Sequence, residues 1–153
     1  MKFSTRAEYG LRLMVNLAKD YAINKPKSLT LIAEEEKLPL PYLERLAARL
    51  RRGNLIVSTK GVSGGYLLQE TPDKITVARI LEVLEGGLFP AGCMGKTSGI
   101  ECGEKNCRAK QVWFKLYGAM KETLEGMMLG SLIVTRTQEY TNKTNPSFRI
   151  PIR

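Results

Sequence analysis

Three cysteines carry the clearest chemistry in the sequence: Cys93, Cys102 and Cys107, spaced Cys-x8-Cys-x4-Cys in a glycine-rich stretch. Their neighbours Gly92, Gly95, Gly99, Glu101, Gly103, Glu104 and Lys105 make a poor setting for core residues. That weighs against three ordinary buried thiols, the role free cysteine often takes. Thiolate sulfur suits iron–sulfur clusters or zinc, and a pliable loop lets three thiolates converge on one metal. An odd, small cysteine count also fits a reducing compartment better than a secreted disulfide framework. The chain has no histidine, which excludes His-based triads, two-histidine zinc sites and a Rieske centre. A thiol-nucleophile enzyme would have only lysine or carboxylate as its base, so no residue is assigned a catalytic role and the chain reads as a non-enzyme.

The second chemical signal is charge. In 153 residues, 24 Lys and Arg stand against 15 Asp and Glu, a formal +9 that favours a polyanionic partner. Between Tyr42 and Lys60 lie Arg45, Arg49, Arg51, Arg52 and Lys60 against the single acid Glu44, so +4 of the +9 sits in that short stretch. An apolar fraction of 43% is enough for a core and excludes wholesale disorder. Lys2, Arg6, Glu8 and Arg12 interrupt the amino terminus, and no stretch approaches the ~20 apolar residues that span a bilayer. The expectation is a cytoplasmic protein with no membrane partner.

The elements that must position these residues follow from spacing. Ala7, Leu11, Met14, Val15 and Ala18 recur at helical intervals over Ser4 to Lys19, with Thr5 and Glu8 in the arrangement of a capping box. Leu29 to Lys37 reads as a short helix, and Pro39 breaks it. Pro41 suits the first position of a new helix with Leu43, Leu46, Ala47 and Leu50 on one face, ended by Gly53. Two short helices joined by a tight turn fit either a helix-turn-helix or a generic helical hairpin with a solvated basic face. The next segment tilts the balance: Leu55–Thr59 and Tyr66–Gln69 are strand-like around Lys60-Gly61-Val62-Ser63-Gly64-Gly65, a turn of the kind a wing needs at its tip. A phosphate-cradling nucleotide loop is the weaker reading, since no Gly-Lys-Ser/Thr ending is present and the turn feeds a strand.

Thr76 caps a further helix through Glu85, and Gly86 to Asn106 forms a loop of about 20 residues, a length that calls for something such as a metal to order it. From Cys107 or Arg108 to about Gly130 runs the longest helix, with Val112, Leu116, Ala119, Met120, Thr123, Leu124, Met127 and Met128 as its stripe and Trp113 beside it. At ~1.5 Å per residue it spans ~35 Å, more than its own domain can cover, so a second subunit is expected against it. The fold class is therefore mainly α with a small β-hairpin: a winged helix-turn-helix domain over 1–85, a cysteine-containing loop over 86–107, a dimerisation helix and short terminal helix over 108–140, and a mobile tail over 141–153.

With these pieces assembled, the sequence resembles the IscR-type family of bacterial winged helix-turn-helix regulators. The resemblance covers Met1 to about Val134. It rests on Ser4-Thr5-Arg6-Ala7-Glu8-Tyr9-Gly10, Tyr42-Leu43-Glu44-Arg45-Leu46, Leu50-Arg51-Arg52-Gly53, Gly61-Val62-Ser63-Gly64-Gly65-Tyr66 and Ile75-Thr76-Val77 together. It implies a homodimer on palindromic double-stranded DNA, with recognition helices in successive major grooves ~34 Å apart and wings in the adjacent minor grooves. Base contacts would come from the positions of Pro41, Glu44 and Arg45, with Glu44 able to accept from cytosine and Arg45 to bridge guanine, and Tyr42 is a further DNA-binding position. Phosphate contacts fall to Arg49, Arg51, Arg52 and Lys60, with Ser63, Gly64 and Gly65 at the wing tip. Proline at 41, arginine at 45 and lysine at 60 depart from the best-known pattern, so the operator does not carry over.

The resemblance also implies that Cys93, Cys102 and Cys107 hold an iron–sulfur cluster, of two-iron two-sulfur type. The histidine that completes the site in IscR is matched here by Lys110, a poor ligand. Some relatives that sense nitric oxide or redox state use an acid in the first helix of the partner subunit, and Glu8 stands at that place; Glu101, Glu104 or water are the other candidates. The implied function is a repressor of iron–sulfur biogenesis genes that senses cluster status. The alternatives are a nitric-oxide or redox sensor of the same fold and a zinc-stabilised DNA-binding protein.

Overall fold

The computed structural model describes residues 3–61, 64–91, 94 and 107–133. Helix α1 (Thr5–Lys19) begins one residue later than its cap: Ser4 is extended, and its side chain accepts from the Arg6 backbone N–H. The expected Thr5–Glu8 capping box is therefore absent, because with Ser4 as cap the third helical position is Ala7, which has no carboxylate to reach back. Glu8 is left exposed, free of that structural duty.

Helix α2 (Leu29–Glu36) is capped by Ser28 and closed by Lys37 in the left-handed conformation, after which Leu38 dips into the core. Helix α3 (Leu40–Arg52) starts at Leu40, so Pro41 takes its second position, where a missing N–H is still harmless. It buries Leu43, Leu46, Ala47 and Leu50, as its periodicity requires. The left-handed residue that ends it is Asn54 (φ 53°); Gly53 has an ordinary φ of −80°. Glycine stands at 53 for space: a Cβ there would lie 2.6 Å from both methyls of Val83.

Strands β1 (Ile56–Thr59) and β2 (Gly65–Leu68) pair antiparallel from Ile56 opposite Leu68 to Thr59 opposite Gly65. The hairpin has a third member that spacing did not disclose. Lys27, between α1 and α2, exchanges both backbone hydrogen bonds with Tyr66, at 3.1 and 2.9 Å. A Cβ on Gly65 would lie 2.6 Å from the Lys27 carbonyl, so this bridge needs glycine at 65.

The Lys27 side chain is also buried, 8% exposed, and its ammonium donates to Asp20 at 2.8 Å and Glu35 at 2.7 Å. Burial alone would pull its pKa down, but the hydrogen bonds and charges of Asp20 and Glu35 outweigh this and hold it above the ordinary lysine value. Hydrogen bonds from Lys27 and then Asn16 hold Glu35 below the usual carboxylate range. The lowered Glu35 contributes stability that is present above the unfolded glutamate pKa and lost as pH falls through the folded one. The raised Lys27 contributes stability that is full below the unfolded lysine pKa and lost as pH rises through the folded one. Lys27→Met is expected to destabilise the fold by about 1–3 kcal/mol in urea titration, less than for a fully buried pair because both carboxylates reach solvent. It should also flatten the acid limb of the stability profile; an unchanged limb would show that the Lys27 ammonium does not hold Glu35 in its charged form.

Helix α4 (Val77–Glu85), capped by Thr76 and ended by Gly86 in the left-handed region, buries Ile80, Leu81 and Leu84 against α1 and α3. Helix α5 (Ala109–Glu125) is shorter than expected: 17 residues, ~25 Å. Met127 and Met128 leave it because their backbone is used elsewhere. The Met127 carbonyl accepts from Val77 N–H at 2.8 Å, Met128 bridges Thr76, and Leu129 N–H donates to the Ile75 carbonyl. Leu129 then fills the core in a short 3-10 turn, Leu129–Leu132. The carboxyl end of the expected dimerisation stripe thus returns to its own domain. Tyr117, Met120 and Leu124 pack on Ala7, Val77, Leu81 and Leu88, while Val112, Phe114 and Leu116 stay exposed. The terminal helix and tail expected beyond residue 133 lie outside the described residues.

Candidate nucleic-acid interface

The buried stripe of α3 turns its opposite face outward. Pro41, Glu44, Arg45 and Arg52 are exposed and Ala48 half-buried, at helical intervals of three, four and seven that line them along one side. Glu44 and Arg45 are therefore free to address base edges from the first turns of a helix whose back is fixed in the core. Tyr42 is half-buried, its ring set edge-on to Tyr9 of α1 with centroids 5.7 Å apart. It acts as a brace for the start of α3.

The basic residues divide by geometry. Arg52 and Lys60 are exposed. Arg51 Nη1 donates to Ser58 Oγ at 3.3 Å, tying the end of α3 to the wing strand. Arg49 turns inward, its Nη1 donating to the Leu84 carbonyl at the end of α4, 3.4 Å away. Half-buried, Arg49 thus links the middle of α3 to the end of α4. At the wing tip Gly61 has a φ of +112°, and Gly64 N–H donates to its carbonyl at 2.9 Å. A Cβ on Gly64 would lie 2.6 Å from the Thr59 carbonyl, so the tip is tight enough to exclude any side chain there. Ser63 lies outside the described residues.

The last turn of α4 is wedged between α3 and α1. Val83 occupies the space that glycine leaves at Gly53, Leu84 packs against Gly10 where a Cβ would meet it at 2.3 Å, and the Leu84 carbonyl holds Arg49. Glu85 accepts from the Ser4 hydroxyl and pairs with Arg6 at 3.4 Å. Immediately after it comes the segment that carries the cysteines, whose first residues are ordered by packing: Leu88 is buried, and Phe89 stacks on Tyr117 at 5.4 Å. Cys107 is a free, half-buried thiol just before α5; Cys93 and Cys102 lie outside the described residues. Among the described residues no three Cys, Asp or Glu side chains converge as a metal site.

Residues 3–135 match the model of a family described as Rrf2, iron-dependent transcriptional regulator. The chain belongs to the Rrf2 family. A similar relative, the HTH-type transcriptional regulator CymR of Bacillus subtilis, is 38% identical over 132 residues, covering 86% of this chain and 89% of that one. The solved structure of CymR, titled the global cysteine regulator of B. subtilis, superposes with a TM-score of 0.72 at 37% identity, over 87% of this chain and 96% of that one. The HTH-type regulator IscR of Aliivibrio salmonicida is 30% identical over 146 residues, 95% of this chain and 85% of its own. The structure of T. potens IscR has a TM-score of 0.71 at 34% identity, over 87% and 86% of the two chains. The protein is thus a winged-helix transcription regulator of the Rrf2 family, as the relatives it matches are. Among the described residues no helix is long and apolar enough to cross a membrane.

In this Rrf2 chain, three features escaped the sequence reading: the Lys27 bridge to the wing, the inward turn of Arg49, and the glycines at 10 and 53 that admit α4. Of these, Gly10 carried a signal, a glycine in the middle of a helix, whereas Gly53 reads from sequence as a cap and Arg49 as one more surface cation.

Proposed function

We propose that the protein is a cytoplasmic dimeric repressor that reads a palindromic operator through α3 and the wing and responds to the state of an iron–sulfur cluster on Cys93, Cys102 and Cys107. The observation that carries this reading is the contact of the α4 end with both Arg49 and Gly53 of the α3 region, directly before the cysteine segment. Three thiols suit an iron–sulfur cluster, and Glu8, exposed and unused as a cap, is available as a fourth ligand from the partner subunit. The exposed apolar residues Val112, Phe114 and Leu116 of α5 support a dimer through that helix. In this scheme residues 1–85 bind DNA, 86–107 hold the ligands, and 108 onward pair the subunits.

A bound two-iron two-sulfur cluster supplies redox change and lability; the chain supplies the response. Whatever shifts the segment after Gly86 pulls on Glu85 and Leu84, hence on Ser4 and Arg6 of α1 and on Arg49 of α3. The two sites and two poses this requires meet the definition of allostery. Iron–sulfur biogenesis genes are the targets by analogy with the IscR relatives. The CymR relative favours a second reading, a regulator of cysteine supply in which the thiols bind no cluster.

Anaerobic reconstitution separates the two. The first predicts a coloured protein with near-stoichiometric iron and sulfide that is lost in Cys107→Ser. A colourless, iron-free preparation contradicts it and leaves the second.

A further inference from the structure

We propose that the leading end of α3 reads the C5 methyl group of a thymine; this rests on α3 being the reading helix. Between the first turns of α1 and α3 lies an open depression of about 430 Å³, lined by Thr5, Tyr9, Pro39, Pro41, Tyr42 and Arg45. Pro41 and Arg45 belong to the outward face of α3 described above, so the depression opens on the same side as the base-reading residues.

A helix start ordinarily offers free N–H groups, which makes it a phosphate site. This one keeps a single such group, that of Leu40: Pro39 and Pro41 on either side of it have no N–H, and the N–H groups of Tyr42 and Leu43 both donate to the Pro39 carbonyl, at 3.1 Å. What the end of α3 presents is the C–H surface of two rigid rings, backed by the edge-to-face pair of Tyr9 and Tyr42. On the major-groove edge of the bases, the thymine methyl is the one apolar group. The match places a thymine beside the pair that Arg45 or Glu44 addresses.

The test uses a duplex selected from random sequence by the full-length protein. Its thymines are replaced one at a time by deoxyuridine, symmetrically in both half-sites, and affinity is measured at fixed salt. Burial of one methyl predicts about four-fold weaker binding per half-site, about fifteen-fold for both, at one position. The double variant Pro39→Ser, Pro41→Ser should bind thymine and deoxyuridine duplexes equally and keep the salt dependence of the unaltered protein, since no charge is removed. Serine suits both positions, being a good N-cap and acceptable in a first turn, and a circular dichroism melt verifies folding. The proposal is overturned if no thymine is worth two-fold, or if the double variant still discriminates. Failure to select any duplex would overturn the DNA-reading assignment itself and is distinguishable from both.

Discussion

Replacing Arg52 and Lys60 with alanine is expected to weaken binding to every duplex alike and to flatten its salt dependence. Both side chains are exposed, one on the last turn of α3 and one at the edge of the wing, where the duplex backbone would run. Each phosphate contact contributes about 0.9 to the slope of log affinity against log salt, so a dimer losing four contacts should lose about 3.6. At physiological salt that is a loss of orders of magnitude without a change in preferred sequence, because phosphate contacts position and do not specify. Arg49→Ala is the internal control. Its guanidinium is committed to the Leu84 carbonyl, so the slope should stay as it is while stability or response changes. A slope that drops for Arg49→Ala and not for the Arg52, Lys60 pair would reverse the assignment.

Gly53→Ala should destabilise the fold by about 1–3 kcal/mol, the usual penalty of overpacking a tight contact. Its φ of −80° suits alanine, so backbone strain does not enter; the added Cβ simply meets both Val83 methyls at 2.6 Å. Valine is stiff about χ1 and sits on a helix wedged between α1 and α3, so it has little room to yield. Val83→Ala removes those methyls and should recover most of the loss in the Gly53→Ala background while being mildly destabilising alone. Urea titrations of the four proteins of the cycle give the coupling directly, and additive effects would show that the wedge is slack.

Much of this architecture was legible because its elements have strong periodicity. The stripes of α1, α3 and α4, the Thr76 cap and the glycine turn of the wing all follow from local rules, and the basic run from Arg45 to Lys60 lies along α3 and the first wing strand. Long-range choices were not legible. Nothing local to Lys27 announces that its backbone pairs with Tyr66 and its ammonium with Asp20 and Glu35. Arg49 and Arg52 look alike in sequence, yet one serves α4 and the other is exposed. The ~35 Å estimate for α5 failed because Met127 to Leu129 continue the apolar pattern while their backbone leaves the helix to pair with Ile75, Thr76 and Val77. An apolar period is compatible with either course, and tertiary hydrogen bonding decided it.

The account turns on whether the cysteine segment governs DNA affinity through the end of α4. The direct measurement is operator affinity, titrated under nitrogen on one preparation before and after controlled oxidation, for the unaltered chain and for the Cys93→Ser, Cys102→Ser, Cys107→Ser variant. We predict a change of about ten-fold or more on oxidation for the unaltered chain, within the usual range of allosteric coupling, and none for the triple variant. Equal affinities before and after oxidation in the unaltered chain, or an equal change in both proteins, would contradict it.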